Sequence, residues 1–358
     1  MSLSEFSWDA FRALSVADKA AALAREDGSP FHTLFAQQFD RANLDRLCRL
    51  ATVIRTIAKT RNGSLFLQSQ LPHKRAMLYF TQPSSRTYLS FLTACQILGL
   101  RTGGVRDTST SSEFKGESQA DSIRTFSSYF DMIIMRTQEK GLAEKMAFAL
   151  SRTERPVPII NAGSGKDQHP TQALLDIYTL QRSFERRGGL HDRTVMFVGD
   201  LARGRTVRSL SQLLLNYPGI THIFAAPAPL QIGDDIIETL AAANVKHHVT
   251  DDMRAFLPKA DAVYVTRIQD EWDDNKGESA RIDTSKYKIG AAEMSLCKPD
   301  AILMHPLPRR DEISPEVDHD PRAMYWRQMR NGMWIRAALI ADTFCCASRI
   351  FDYYHENF

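Results

Sequence analysis

Seven short apolar runs, at 77–80, 132–135, 157–161, 195–199, 222–225, 262–265 and 302–304, are the strongest constraint in this chain. Each has the length of a strand, and amphipathic stretches separate most of them. A strand with one wet face alternates apolar and polar residues. A near-continuous apolar run between helices marks a parallel strand covered on both sides. The helical stretches carry their apolar residues at spacings of three and four. Leu44, Leu47, Leu50, Ile54 and Ile57 do so within 41–59, and Val207, Leu210, Leu213 and Leu214 within 206–216. The first 30 or so residues read as a helical extension with Phe11, Leu14 and Leu23 among charges. A final helix over 333–354 carries Trp334, Ala337, Leu339, Ile340, Phe344 and Ile350.

With 358 residues, this pattern exceeds one tidy sheet. The expected fold class is α/β, with two doubly wound parallel-sheet domains. The first covers 1–170 and the second 171–325, while 326–358 returns to pack on the first.

Ligands of doubly wound domains sit outside the carboxyl ends of the strands. Six of the runs end in polar or cationic groups. These are Ser84-Ser85-Arg86-Thr87, Arg136, His169-Pro170-Thr171-Gln172, Asp200 with Arg205, Arg267-Ile268-Gln269, and His305-Pro306-Leu307-Pro308-Arg309. The first set opens a helix. Its hydroxyls, guanidinium and unpaired backbone N–H groups make an anion cradle, although Ser and Thr are also ordinary helix caps. Leu89, Leu92 and Ile97 are the expected apolar face of that helix, and Gly99 marks its end. Arg136, Arg205 and Arg267 point to a substrate set with several anionic groups, since Arg grips carboxylate and phosphate bidentately. Such a site works by orienting reactants and stabilising developing negative charge. His169 follows a Gly-containing loop and precedes a Pro at the first helical position, which suits an imidazole aimed at a carbonyl oxygen. His305 reads as a loop holder.

The remaining chemistry classes fit poorly. A net charge of +3 gives no case for a nucleic-acid partner. No run of about 18 apolar residues exists for a membrane span. Cys48, Cys95, Cys297, Cys345 and Cys346 form no CxxC or Cys/His pattern, so buried free thiols in a reducing cytoplasmic compartment are expected, with no metal. The turn after Val198-Gly199-Asp200 lacks the GxGxxG dinucleotide fingerprint.

Taken in order and spacing, Ser84-Ser85-Arg86-Thr87, Lys115-Gly116-Glu117, His169-Pro170-Thr171-Gln172 with Leu174-Leu175-Asp176, and His305-Pro306-Leu307-Pro308-Arg309 resemble the transcarbamoylase family over about 35–351. Arg267-Ile268-Gln269 and Leu307 resemble its aspartate branch. The resemblance implies transfer of the carbamoyl group of carbamoyl phosphate to the amine of L-aspartate, an early step of pyrimidine biosynthesis, without cofactor. It implies that Ser84, Ser85, Arg86 and Thr87 hold the phosphate, and that Arg136, His169 and Thr87 meet the carbonyl oxygen. Gln172 and the backbone carbonyls of Pro306 and Leu307 would receive the carbamoyl amino group. Arg205, Arg267 and Gln269 would clamp the aspartate carboxylates, with Leu307 also in that site. It further implies a homotrimer in which Ser111 and Lys115 reach a neighbouring subunit's site, and leaves open regulatory or dihydroorotase partners. Gln82 stands where the family usually has Glu, Ser85 where Thr is commoner, Tyr88 where Arg is frequent, and Thr137 where His is usual.

Overall fold

The structure, a computed structural model, describes residues 3–107, 115–164, 169–270, 277 and 279–358. The chain forms two compact units, Met1–Leu174 with Gly332–Phe358, and Leu175–Asn331. Each is built on a wholly parallel sheet.

The first unit holds β1 (Arg75–Phe80), β2 (Arg101–Val105), β3 (Met132–Thr137) and β4 (Ile159–Ser164) in the order β2-β1-β3-β4. Tyr79, Ile133, Met135 and Ile159 share a core with Phe11 and Leu23 of the N-terminal extension. That extension forms two short helices, Trp8–Ala13 and Val16–Ala22, started by Ser7 and Ser15 side chains that accept from Ala10 N–H and Asp18 N–H. Burying Phe11 alone is worth about 1.5–3 kcal/mol. Past these helices, Thr33 bridges to β4, donating its N–H to Ile159 O and accepting from Asn161 N–H, so the outer edge of β4 is covered. His32 is tied to the same edge. Its Nδ1 accepts from Ile159 N–H at 3.0 Å and its Nε2 lies 2.7 Å from Ser151 Oγ.

The second unit holds β5 (Thr194–Gly199), β6 (Thr221–Ala225), β7 (His247–Thr250), β8 (Ala262–Thr266) and β9 (Ile302–Met304) in the order β7-β6-β5-β8-β9. Met196, Val198, Ile223, Val263, Val265 and Leu303 fill one core. Of the alternate residues, Phe197 packs between Phe224 and Tyr264, ring centroids 5.4 and 5.9 Å away. Both faces are thus apolar, which is why these strands read as continuous runs.

Several sequence expectations need correction. β2 and β7 were not legible: they are the exposed edges, and RTGGV and HHVT carry few apolar residues because little covers them. The run at 157–161 becomes a strand two residues later, Ile159–Ser164. The expected last helix is two, Tyr325–Thr343 and Ala347–Asn357, broken where Cys345 takes a φ of 56°. A left-handed residue cannot continue a right-handed helix. Cys345 is also exposed, unlike the other four thiols. In the helix Ser85–Ile97 the buried face is Phe91, Ala94 and Cys95, while Leu89 faces solvent.

Candidate functional site

In a sheet ordered β2-β1-β3-β4 the chain reverses its direction of travel between β1 and β3, leaving a crevice beyond their carboxyl ends. The residues placed there are the candidate phosphate set. Phe80 pairs with Arg136 in register, and Gln82 N–H donates to Arg136 O at 3.2 Å. The turn that follows delivers Ser84 to the start of helix Ser85–Ile97. Ser84 sits at the N-cap position, yet its side chain makes no capping hydrogen bond. The hydroxyl is therefore not spent on the helix it precedes, which weighs against the ordinary-cap reading. Thr87 is buried, and Ser85 and Arg86 are exposed.

Arg136 is buried at the irregularity between Met135 and Thr137 in the β3–β4 ladder. Its Nη1 donates to Ala162 O at 3.1 Å. Gly163, next along β4, has a φ of +116°, a conformation open to glycine and rarely to other residues. A Cβ there would stand 2.5 Å from Arg136 Nη1 and 3.4 Å from His169 Cδ2. Glycine at 163 thus lets the guanidinium and the imidazole approach the same point. Asn161 fixes this turn from beneath: its Oδ1 accepts from Gly163 N–H at 2.9 Å, and its Nδ2 donates to Leu34 O and Ser164 Oγ, both at 3.2 Å. His169 precedes helix Pro170–Phe184; its carbonyl accepts from Gln172 N–H and its Nδ1 faces Thr171 Oγ1 at 3.5 Å. Arg136, His169, Gln172 and Thr87 all belong to the first unit. Gly163 and Asn161 were not singled out from sequence; the signal was an Asn-Ala-Gly ending an apolar run.

Tyr88, where a cation is frequent in the resemblance, lies edge-on to Phe80 at 5.3 Å. Its hydroxyl fills the space beside Gly104, and the Arg106 guanidinium stacks on its ring at 4.7 Å. Lys115 is exposed. Ser111 lies outside the described residues.

The second unit repeats the logic. Its order β7-β6-β5-β8-β9 places the switch between β5 and β8. Arg205 opens helix Arg205–Leu214 beyond β5, and Arg267, Ile268 and Gln269 follow β8. Asp200 stitches these ends together. One carboxylate oxygen accepts from Arg203 N–H at 3.1 Å, the other from Gln269 N–H at 3.0 Å. The side chain is fully buried. Burial pushes its carboxyl above the usual range, opposed by those two N–H groups and by the charges of Arg203 and Arg267. Asp200 is among the strand-end groups that the sequence offers, but its tying role is hidden there because both partners are backbone atoms, one of them 69 residues away.

Beyond β9, His305 holds a loop, as its sequence context indicated. Its Nδ1 accepts from Leu307 N–H at 2.8 Å, so Nε2 carries the proton and donates to Glu312 Oε1 at 2.7 Å. Burial lowers its pKa despite Glu312, so the neutral ring is the ordinary state. The His305 backbone N–H donates to Gln328 Oε1, Gln328 Nε2 to Asp176 Oδ1, and Tyr264 OH to Asp176 Oδ2. This buried network supports the turn in which Leu307 takes a φ of 54°. Every member is satisfied, the condition under which buried polar networks specify one conformation.

Comparison with known proteins gives this geometry a family. Residues 32–182 match the model described as aspartate/ornithine carbamoyltransferase, carbamoyl-P binding domain, and residues 191–343 match the corresponding Asp/Orn binding domain. The chain is 40% identical over 309 residues to aspartate carbamoyltransferase 1, chloroplastic, of Pisum sativum, covering 85% of this chain and 76% of that one. It is 39% identical over 318 residues to the aspartate carbamoyltransferase catalytic subunit of Vibrio cholerae, covering 87% and 95%. Among solved structures it is similar to Trypanosoma cruzi aspartate transcarbamoylase in complex with carbamoyl phosphate and aspartate. That match has a TM-score of 0.79 at 35% identity and covers 90% of this chain and 97% of the other. The chain belongs to the aspartate/ornithine carbamoyltransferase family.

Proposed function

We propose that this chain is an aspartate carbamoyltransferase, transferring the carbamoyl group of carbamoyl phosphate to L-aspartate to give N-carbamoyl-L-aspartate and phosphate. The observation that carries the reading is that each unit has its own switch point, and each is lined with groups that grip anions. The first presents hydroxyls, Arg136 and His169; the second presents Arg205, Arg267 and Gln269, with Asp200 tying the Gln269 N–H to the Arg203 N–H. In this reading Ser84, Ser85, Arg86 and Thr87 hold the phosphate. Thr87, Arg136 and His169 donate to the carbamoyl oxygen, most strongly when attack makes it an oxyanion. Gln172 and the carbonyls of Pro306 and Leu307 take the carbamoyl N–H groups. Arg205, Arg267 and Gln269 hold the two carboxylates so that the amine faces the carbon.

Nitrogen attacks the carbonyl carbon, the C–O bond to phosphate breaks, and the departing phosphate takes the amine proton. No protein general base is required. The product feeds pyrimidine biosynthesis. The working assembly is a homotrimer whose sites are completed by Ser111 and Lys115 of a neighbour, in the cytoplasm. Five free cysteines support a reducing compartment, and no helix among the described residues is long and apolar enough to cross a membrane.

Calorimetric titration with a phosphonate linked to a dicarboxylate tests the site directly. Tight binding that is weakened by either Arg86→Ala or Arg267→Ala is expected; binding indifferent to Arg267 would remove the acceptor assignment. Inactive Arg86→Ala and inactive Lys115→Ala proteins, dissociated and mixed, are expected to recover part of the activity. No recovery would contradict a shared site.

A further inference from the structure

Among the described residues, Arg267 has a carboxylate of the protein close by on its own loop. Arg267 Nη1 donates to Ile268 O at 2.7 Å and stands 3.8 Å from Asp270 Oδ1. Asp270 lies three residues further along the same loop, so its concentration at Arg267 does not fall with dilution. A carboxylate is also the group assigned to Arg267 as ligand. Asp270 is therefore a resident competitor for that guanidinium.

Arg310 meets Asp270 with a parallel fork, Nη1 to Oδ2 and Nη2 to Oδ1, both at 2.9 Å. This is the strong geometry for the pair, whereas a separation of 3.8 Å is beyond hydrogen-bond reach. The backbone N–H of Arg310 is anchored separately, on both oxygens of Glu312 at 3.1 Å. Glu312 in turn holds His305. The position of Arg310 thus does not depend on its own side chain. Asp270 and Arg310 are about half exposed, too open for their pairing to add much to stability.

We propose that Arg310 is a positioning residue of the acceptor site: by holding both oxygens of Asp270 it keeps that carboxylate from closing on Arg267, and so sets the affinity for a dicarboxylate acceptor. The inference rests on the reading of Arg267 as a carboxylate clamp.

Steady-state kinetics on the intact enzyme test it. Arg310→Ala releases Asp270 and raises KM for aspartate by about two- to five-fold, the worth of an exposed ion pair. kcat and KM for carbamoyl phosphate stay as in the wild type. Asp270→Asn removes the competitor, leaving KM at or below the wild-type value. The double variant returns to the Asp270→Asn value. Arg310→Lys keeps the charge without the fork and falls in between, which also serves should the alanine variant fail to fold. The rise in Arg310→Ala shrinks at high salt. The proposal is overturned by an unchanged KM in Arg310→Ala. It is equally overturned by a rise that persists in the double variant, or by a higher KM in Asp270→Asn. Arg267→Ala separates the underlying reading: if its KM for aspartate is that of the wild type, the clamp assignment fails, and not the role of Arg310.

Discussion

Substitution of Gly163 by alanine perturbs the chemistry through a single methyl group. The new Cβ would stand 2.5 Å from Arg136 Nη1, where ordinary contact begins near 3.4 Å, so the guanidinium must withdraw by about 1 Å. That movement strains its bond to Ala162 O and takes its donor away from the carbonyl oxygen it is proposed to stabilise. A misplacement of about 1 Å costs on the order of 10²-fold in rate, and loss of one such donor costs about 10²–10³-fold in kcat. The backbone contributes separately, since alanine at a φ of +116° costs about 1–3 kcal/mol of stability. The expected variant therefore folds, unfolds at lower urea, and has a kcat about 100-fold below the wild type. Measuring kcat alongside urea denaturation separates the two effects. In an Arg136→Ala background the same substitution should add little further loss of kcat, because the group it displaces is already gone. A kcat within a few-fold of wild type, with the fall in stability present, would show that Arg136 does not act where we place it.

Other substitutions probe the phosphate cradle, the acceptor loop and the buried His32. Arg86→Ala should abolish useful turnover by removing the main charged partner of phosphate, and near-normal activity would refute the cradle. Asp200→Asn should raise KM for aspartate more than KM for carbamoyl phosphate and lower stability by about 1–3 kcal/mol, because one of its two backbone donors then faces an amide NH₂. Equal KM changes for the two substrates would contradict its place in the acceptor site. His32 gives a pH signature. Burial lowers its pKa to about 3 from an ordinary 6.5, so between these values the unfolded chain binds a proton that the folded chain excludes. Its contribution is complete above pH 6.5 and is lost as pH falls, by about 1.4 kcal/mol per unit. Urea midpoints between pH 7 and 5 should fall more steeply for the wild type than for His32→Gln. Parallel slopes would mean that His32 is not held neutral.

The central strands were legible because they are covered on both faces and must be apolar throughout. The edge strands β2 and β7 were not, since Arg101–Val105 and His247–Thr250 meet solvent and follow no such rule. Strand ends also announced where polar residues collect, and Arg136, His169, Arg205 and Arg267 lie at those ends. What sequence could not supply was how groups act through backbone atoms, even for Asp200, which it placed at a strand end. Asp200 serves Gln269 N–H, Asn161 serves Gly163 N–H, and Gly163 acts by lacking a side chain. The break at Cys345 was equally hidden, because the apolar spacing continues on either side of a residue whose conformation, not its chemistry, ends the helix. Lys115 has no local feature that distinguishes it from a solvated loop lysine, and its proposed role rests on family resemblance alone.

In the proposed function, Arg205, Arg267 and Gln269 select a dicarboxylate amine as carbamoyl acceptor. This selectivity is measured by incubating the purified protein with carbamoyl phosphate and either L-aspartate or L-ornithine, and following phosphate release together with carbamoylated product. We expect N-carbamoyl-L-aspartate and phosphate in equal amounts with aspartate, and no carbamoylated product with ornithine. Transfer to ornithine alone would contradict it.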